Sequence, residues 1–122
     1  MGKQKQKGTA FESWVADYLS KATGDEITRR PMEGKNDKGD IRGFRIRGKR
    51  TVLECKNCKK LEFSKWLAEA EAEKAHDGAE YGIVIAKRPG CGQLNMGRQY
   101  AVMDLETLAA ISVGGFELLE EF

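Results

Sequence analysis

Residues 52–56 read Val-Leu-Glu-Cys-Lys, an acid and an ammonium two positions apart behind an apolar pair. In a strand, alternate side chains share a face, so Val52, Glu54 and Lys56 project to one side and Leu53 and Cys55 to the other. On a central strand both faces are covered, and a half-buried carboxylate and lysine are costly unless paired or engaged with a ligand. Two readings follow: a cross-strand ion pair worth under about 1 kcal/mol, or a site. Asp40, in "KGDI", opens the preceding strand candidate. It is either a turn acid of the polar "NDKGD" stretch or a partner for Glu54, because hairpinned strands lie about 5 Å apart. Two carboxylates at that range repel unless a cation lies between them. Oxygen donors of this kind suit Mg²⁺, which is held by one or two carboxylates together with substrate phosphate. Lys56 could then orient or deprotonate an attacking water and balance charge in the transition state.

Glu12 is a third acid with two readings. Thr9-x-x-Glu12 is a capping box, in which Glu12 bonds the Thr9 backbone N–H; it can equally stand as a further ligand. Cys55 and Cys58 form C-x-x-C, and with His76 and Cys91 they could complete a Cys₃His zinc set. The alternative is ordinary packing and loop cysteines. Three cysteines, an odd number, do not make a disulfide framework.

These residues need elements to position them. Phe11, Trp14, Val15 and Tyr18 fall at i, i+3, i+4 and i+7, one apolar helix stripe, with Thr9 to start it and Gly24 to end it. "DEITRRP" is a short strand candidate and "MEGKNDKGD" a turn-rich loop. "IRGFRIRG" alternates and enters "RTVLECKN" through a hairpin turn placed at Gly48 and Lys49. "SKWLAEAEAEKAHDG" is helical, with Ser64 as N-cap and Gly78 as terminator; the lone His76 sits at its dipole-favoured end. "YGIVIAK" reads as a fully buried strand, "RPGCGQLNMG" as a glycine-rich loop, "QYAVMD" as a strand and "LETLAAIS" as a helix. Antiparallel neighbours followed by a β-α-β crossover predict an α/β fold, a mixed β-sheet flanked by helices. Residues 9–122 form one domain behind a flexible basic arm at 1–8.

Of the 122 residues, 40% are hydrophobic and 33% charged, as in a globular chain with a charged surface. No apolar run approaches a membrane span, and the basic start "MGKQKQKG" has no apolar stretch behind it to make a secretory signal. A cytoplasmic protein is expected. Residues 1–60 carry sixteen Lys and Arg against eight Asp and Glu, and residues 61–122 carry five against eleven. This asymmetry predicts a basic face for a polyanion, unless folding mixes the charges again. The candidates for phosphate contact are Lys3, Lys5, Lys7, Arg29, Arg30, Arg42, Arg45, Arg47, Lys59 and Lys60. The other reading of the arginine-rich hairpin is a solvated sheet edge.

"GD-x₁₃-ECK" behind a helix bearing Glu12 in "KGTAFE" resembles the PD-(D/E)XK nuclease superfamily. Within it, the chain is most similar to archaeal-type and phage Holliday junction resolvases, over roughly residues 7–104. The proline of the superfamily's name is replaced by Gly39. The resemblance implies a restriction-endonuclease-like αβββαβ core. It implies Asp40 and Glu54 as Mg²⁺ ligands, joined by Glu12 and the Cys55 backbone carbonyl, with Mn²⁺ able to substitute, and Lys56 as the catalytic lysine. It further implies a homodimer that hydrolyses phosphodiester bonds in branched DNA during recombination and repair. The alternatives are a flap or single-strand nuclease of the same fold, or a non-catalytic nucleic-acid module with zinc at the Cys/His set.

Overall fold

The computed structural model describes residues 2–29 and 41–122, with side chains from Ala10 onward. Helix α1 (Gly2–Thr23) leads into β1 (Thr28–Arg29), followed by β2 (Ile41–Arg42), β3 (Arg45–Ile46) and β4 (Lys49–Lys56). Helix α2 (Phe63–Asp77) crosses over to β5 (Tyr81–Ala86), and β6 (Tyr100–Val102) and α3 (Leu105–Val113) complete the order. The described strands form one six-stranded mixed sheet, ordered β1-β2-β4-β5-β6, with β3 paired to β4 off that path. β4 and β5 run parallel, as a β-α-β crossover requires, and the other pairings are antiparallel. The α/β fold with a helix-flanked mixed sheet is the one the sequence predicted. Among the described residues no helix is long and apolar enough to cross a membrane.

The sheet separates two apolar layers. Phe11, Val15 and Ala16 of α1 pack with Ile41, Leu53, Ile83 and Met96 on one face. Trp66 and Ala70 of α2 pack with Val84 and Ala86 on the other. The second layer is tight at Gly82, where a Cβ would lie 2.7 Å from the Ala70 carbonyl oxygen. Ser20 anchors β1 to α1: its hydroxyl donates to Ile27 O (2.8 Å) and accepts from Ile27 N–H (3.0 Å). The predicted Phe11 and Val15 stripe is buried, Trp14 is partly so, and Tyr18 is exposed at the rim.

Several local expectations are corrected. Residues 2–8 are not a separate arm, because α1 is continuous from Gly2. Lysine and glutamine are good helix formers, and extending an existing helix costs less than starting one at Thr9. Thr9 therefore lies inside the helix, and the capping-box role of Glu12 falls away, since an N-cap has non-helical backbone. "IRGFRIRG" breaks into two short strands at Gly43 (φ 96°). The hairpin turn is Arg47–Gly48, both at positive φ (49° and 83°), with Ile46 paired to Lys49; this left-handed pair matches the strand twist. The N-cap of α2 is Glu62 without a side-chain cap bond, while Gly78 ends the helix in the left-handed conformation as expected. The glycine-rich loop contains a 3₁₀ segment, Gln93–Arg98.

Candidate nucleic-acid hydrolysis site

The strand that carries "ECK" is central, with β5 on one side and β2 on the other. In-register partners fix its faces: Leu53 pairs with Ile83 and Cys55 with Ile85, while Glu54 pairs with Val84 and Lys56 with Ala86. Leu53, Cys55, Ile83 and Ile85 belong to the α1-side layer, and Val84 and Ala86 to the α2-side layer. Glu54 and Lys56 therefore project toward α2. Both are half-buried, with side chains 16% and 21% exposed. The Lys56 ammonium lies 3.9 Å from Glu54 Oε1 and 2.8 Å from Glu69 Oε1 of α2. Glu69 Oε1 is shut off from solvent, so the lysine supplies its counter-charge.

Glu69 was not among the sequence candidates. Its signal was faint: it lies three residues after Trp66 and one before Ala70, the two buried residues of α2. An acid on the flank of a buried helix face needs a cation, and only the fold shows that Lys56 is that cation.

Glu12 is mounted on α1, which covers the opposite face. Its carboxylate is 3.6 Å from Arg29 Nη1, and its side chain is 19% exposed. Arg29 shares the face of its pairing partner Ile41, which explains how β1 delivers it to α1. Asp40 and Arg30 lie outside the described residues, as do the side chains of Lys3, Lys5 and Lys7. Ile41, which follows Asp40 in sequence, is paired with Leu53, which precedes Glu54. Beyond that pair, β4 has no strand partner on the β2 side among the described residues.

Past the C-terminal ends of parallel β4 and β5 lies an open crevice of about 310 Å³, lined by Asn57, Cys58, Lys59, Leu61, Lys87 and Pro89. The C-terminal ends of parallel strands are the common ligand position in α/β sheets. Lys59 and Lys60 are exposed beside it. Arg42, Arg45 and Arg47 are exposed on the hairpin side of the sheet. Lys49 reaches Glu117 at 3.3 Å, and that hydrogen bond raises its pKa above the usual lysine value.

The described residues include no group of three or more His, Cys, Asp or Glu side chains placed to hold a metal ion. Cys55, Cys58, His76 and Cys91 are all described, so the Cys₃His set does not come together. Cys55 packs against the α1-side layer, Cys58 is exposed and Cys91 is buried. The chain matches no family model, no curated protein and no solved structure.

Proposed function

We propose that this chain is a divalent-metal-dependent DNA endonuclease, and specifically a Holliday junction resolvase that works as a homodimer on four-way junctions. The observation that carries the reading is the placement of Lys56. It is a half-buried ammonium on a central strand, two residues from a half-buried carboxylate and held at 2.8 Å by Glu69. An isolated structural ion pair would need one acid; here one lysine stands between two.

The donors suit a hard cation. Glu54 offers a carboxylate and Cys55 a backbone carbonyl, both oxygen ligands of the kind Mg²⁺ and Mn²⁺ take. Asp40 would add charge, whereas Glu12 stands on the helix that covers the opposite face of the sheet. When bound, such an ion neutralises developing charge on the phosphoryl oxygens. The remaining work belongs to the chain. Glu69 fixes the position of the Lys56 ammonium, which can donate to a non-bridging phosphate oxygen and orient the attacking water. Exposed arginines and lysines hold the strand through its phosphates, which fixes register without reading sequence.

The test is a cleavage panel of four-way junction, flap, duplex and single strand with Mg²⁺, run on wild type, Asp40→Asn, Glu54→Gln and Lys56→Ala. Each variant is expected to lose cleavage at least about a hundredfold, the scale of losing a transition-state donor. Junction binding should persist, since phosphate contacts supply most affinity. Near-wild-type cutting by any of the three would remove that residue from the site. Cutting of flap but not junction would move the chain to another branch of nuclease activity.

A further inference from the structure

Arg45 and Arg50 are direct cross-strand partners. Like charges in that position repel and are normally avoided. A third arginine converges on them. Ile41 belongs to the α1-side layer, so its strand neighbour Arg42 faces the other way, toward the side that carries Arg50, Glu54 and Lys56. Between them lies a cleft of about 150 Å³ with Arg42, Gly43, Arg45, Arg50, Thr51 and Asp77 in its lining. Among the described residues Asp77 is the one acid in that lining, and it takes Arg50 at 2.9 Å from a position almost closed to solvent (10% exposed). Arg45 Nη1 donates to Gly48 O at 3.2 Å, which settles one of its donors and orients the rest. Among the described lining residues, three guanidinium groups against one carboxylate leave an excess of two positive charges.

We propose that this cleft binds a single phosphate group. Its volume equals that of about five waters, below the range of organic ligand pockets, so it suits a small ion. A tetrahedral oxyanion offers oxygens in several directions, matching guanidinium forks that approach from different strands. Asp77 positions Arg50, and the anion neutralises the charge that Asp77 leaves over. Resting on the nuclease reading, the phosphate belongs to the nucleic-acid backbone. Arg50 and Glu54 are four residues apart on one face of one strand, about 13 Å at 3.3 Å per residue. That is about four nucleotide rises at 3.4 Å each, so the cleft would grip the strand several nucleotides from the bond at Glu54 and set the cut position.

The experiment needs no cleavage, so it stands or falls separately from the nuclease reading. Inorganic phosphate is titrated into the full chain without divalent metal and followed by ³¹P line broadening. The samples are wild type, Arg42→Gln, Arg45→Gln and the charge-matched control Arg98→Gln, an exposed arginine of the 3₁₀ segment. Saturable binding is expected in wild type and control, weakened about tenfold in each cleft variant, the cost of one charged hydrogen-bonding partner. Arg42 makes no ion pair among the described residues, so its variant tests the cleft without disturbing the Arg50–Asp77 contact. Absent binding in wild type, or equal binding in Arg42→Gln, Arg45→Gln and control, would overturn the proposal. A single-stranded oligonucleotide lacking terminal phosphates is then added as competitor. Displacement of phosphate supports the backbone assignment, and its failure would reassign the cleft to free or terminal phosphate and sink the cut-position role.

Discussion

Glu12, Lys56 and Glu69 show how one residue type acquires different duties from its neighbours. Glu12 no longer has a cap to make, and among the described residues it pairs with Arg29 at 3.6 Å at the margin of a helix. Such pairs contribute about 0–1 kcal/mol, and Glu12→Gln should unfold within that margin of wild type in a denaturant titration. Cleavage is the sharper readout. If Glu12 serves the metal, the neutral amide removes a negative charge from the ion's surroundings. In that case most activity would be lost and part of it regained at higher Mg²⁺ or with Mn²⁺. Because Glu12 stands on the face opposite Glu54 and Lys56, we expect cleavage to be retained. A stable, fully active variant would leave Glu12 a structural role, with Arg29 among its partners. Glu69→Gln tests the positioning of Lys56: kcat should fall while the KM for junction DNA holds, because Glu69 touches the lysine and not the substrate.

At the level of elements, two joints make clear predictions. Gly82 on β5 faces the backbone of α2 so closely that a methyl group would meet the Ala70 carbonyl at 2.7 Å. A backbone atom cannot swing aside as a side chain can. Gly82→Ala should therefore cost about 1–3 kcal/mol by pushing α2 off the sheet, and it should impair cleavage too, because α2 carries Glu69. Equal urea midpoints for Gly82→Ala and wild type would contradict this packing. The second joint is the start of α3, where Asp104 accepts a hydrogen bond from Thr107 N–H at 2.9 Å. Hydrogen bonding from Thr107 holds the Asp104 carboxyl below its usual pKa. A carboxyl whose pKa is depressed by folding stabilises the native state fully above its unfolded pKa, near 3.9. That contribution is lost as the pH falls through the lower folded value. Asp104→Ala should cost about 1 kcal/mol at neutral pH, and the difference from wild type should shrink at the acid end of a pH series.

For the whole molecule, one sheet serves two apolar layers, and β5 contributes to both. Leu53 is 1% exposed in the α1-side layer, next in sequence to Glu54 on the α2 side. Leu53→Ala should cost about 2–5 kcal/mol, and the loss should appear as one cooperative transition by both fluorescence and circular dichroism. Separate transitions would mean that the two layers fold independently. The charge asymmetry of the chain has a spatial counterpart in the exposed arginines of the hairpin, but folding also neutralises part of it. Arg29, Lys49 and Arg50 are taken by Glu12, Glu117 and Asp77. The last two acids come from the acidic second half, a mixing that composition alone does not show.

The sequence by itself determined most of the elements and the strand that carries the candidate site. Alternation made "VLECK" a strand, the Phe11 and Val15 stripe made a helix, and the β-branched run "YGIVIA" made a buried parallel strand. Each is a local pattern set by the two backbone periodicities. Breaks and caps were less legible where local signals competed: Thr9 and Ser64 are good caps, but helix continuity and packing placed the starts at Gly2 and Phe63. What only the tertiary structure decided is which groups meet across elements. It placed Glu12 on the helix covering one face and Glu54 with Lys56 on the other. It brought Glu69 to Lys56 and Asp77 to Arg50 from helix positions 13 and 27 residues further along the chain. Those meetings depend on strand register and helix crossover, which are set by the packing of residues far apart in sequence, and no short window of the chain contains them.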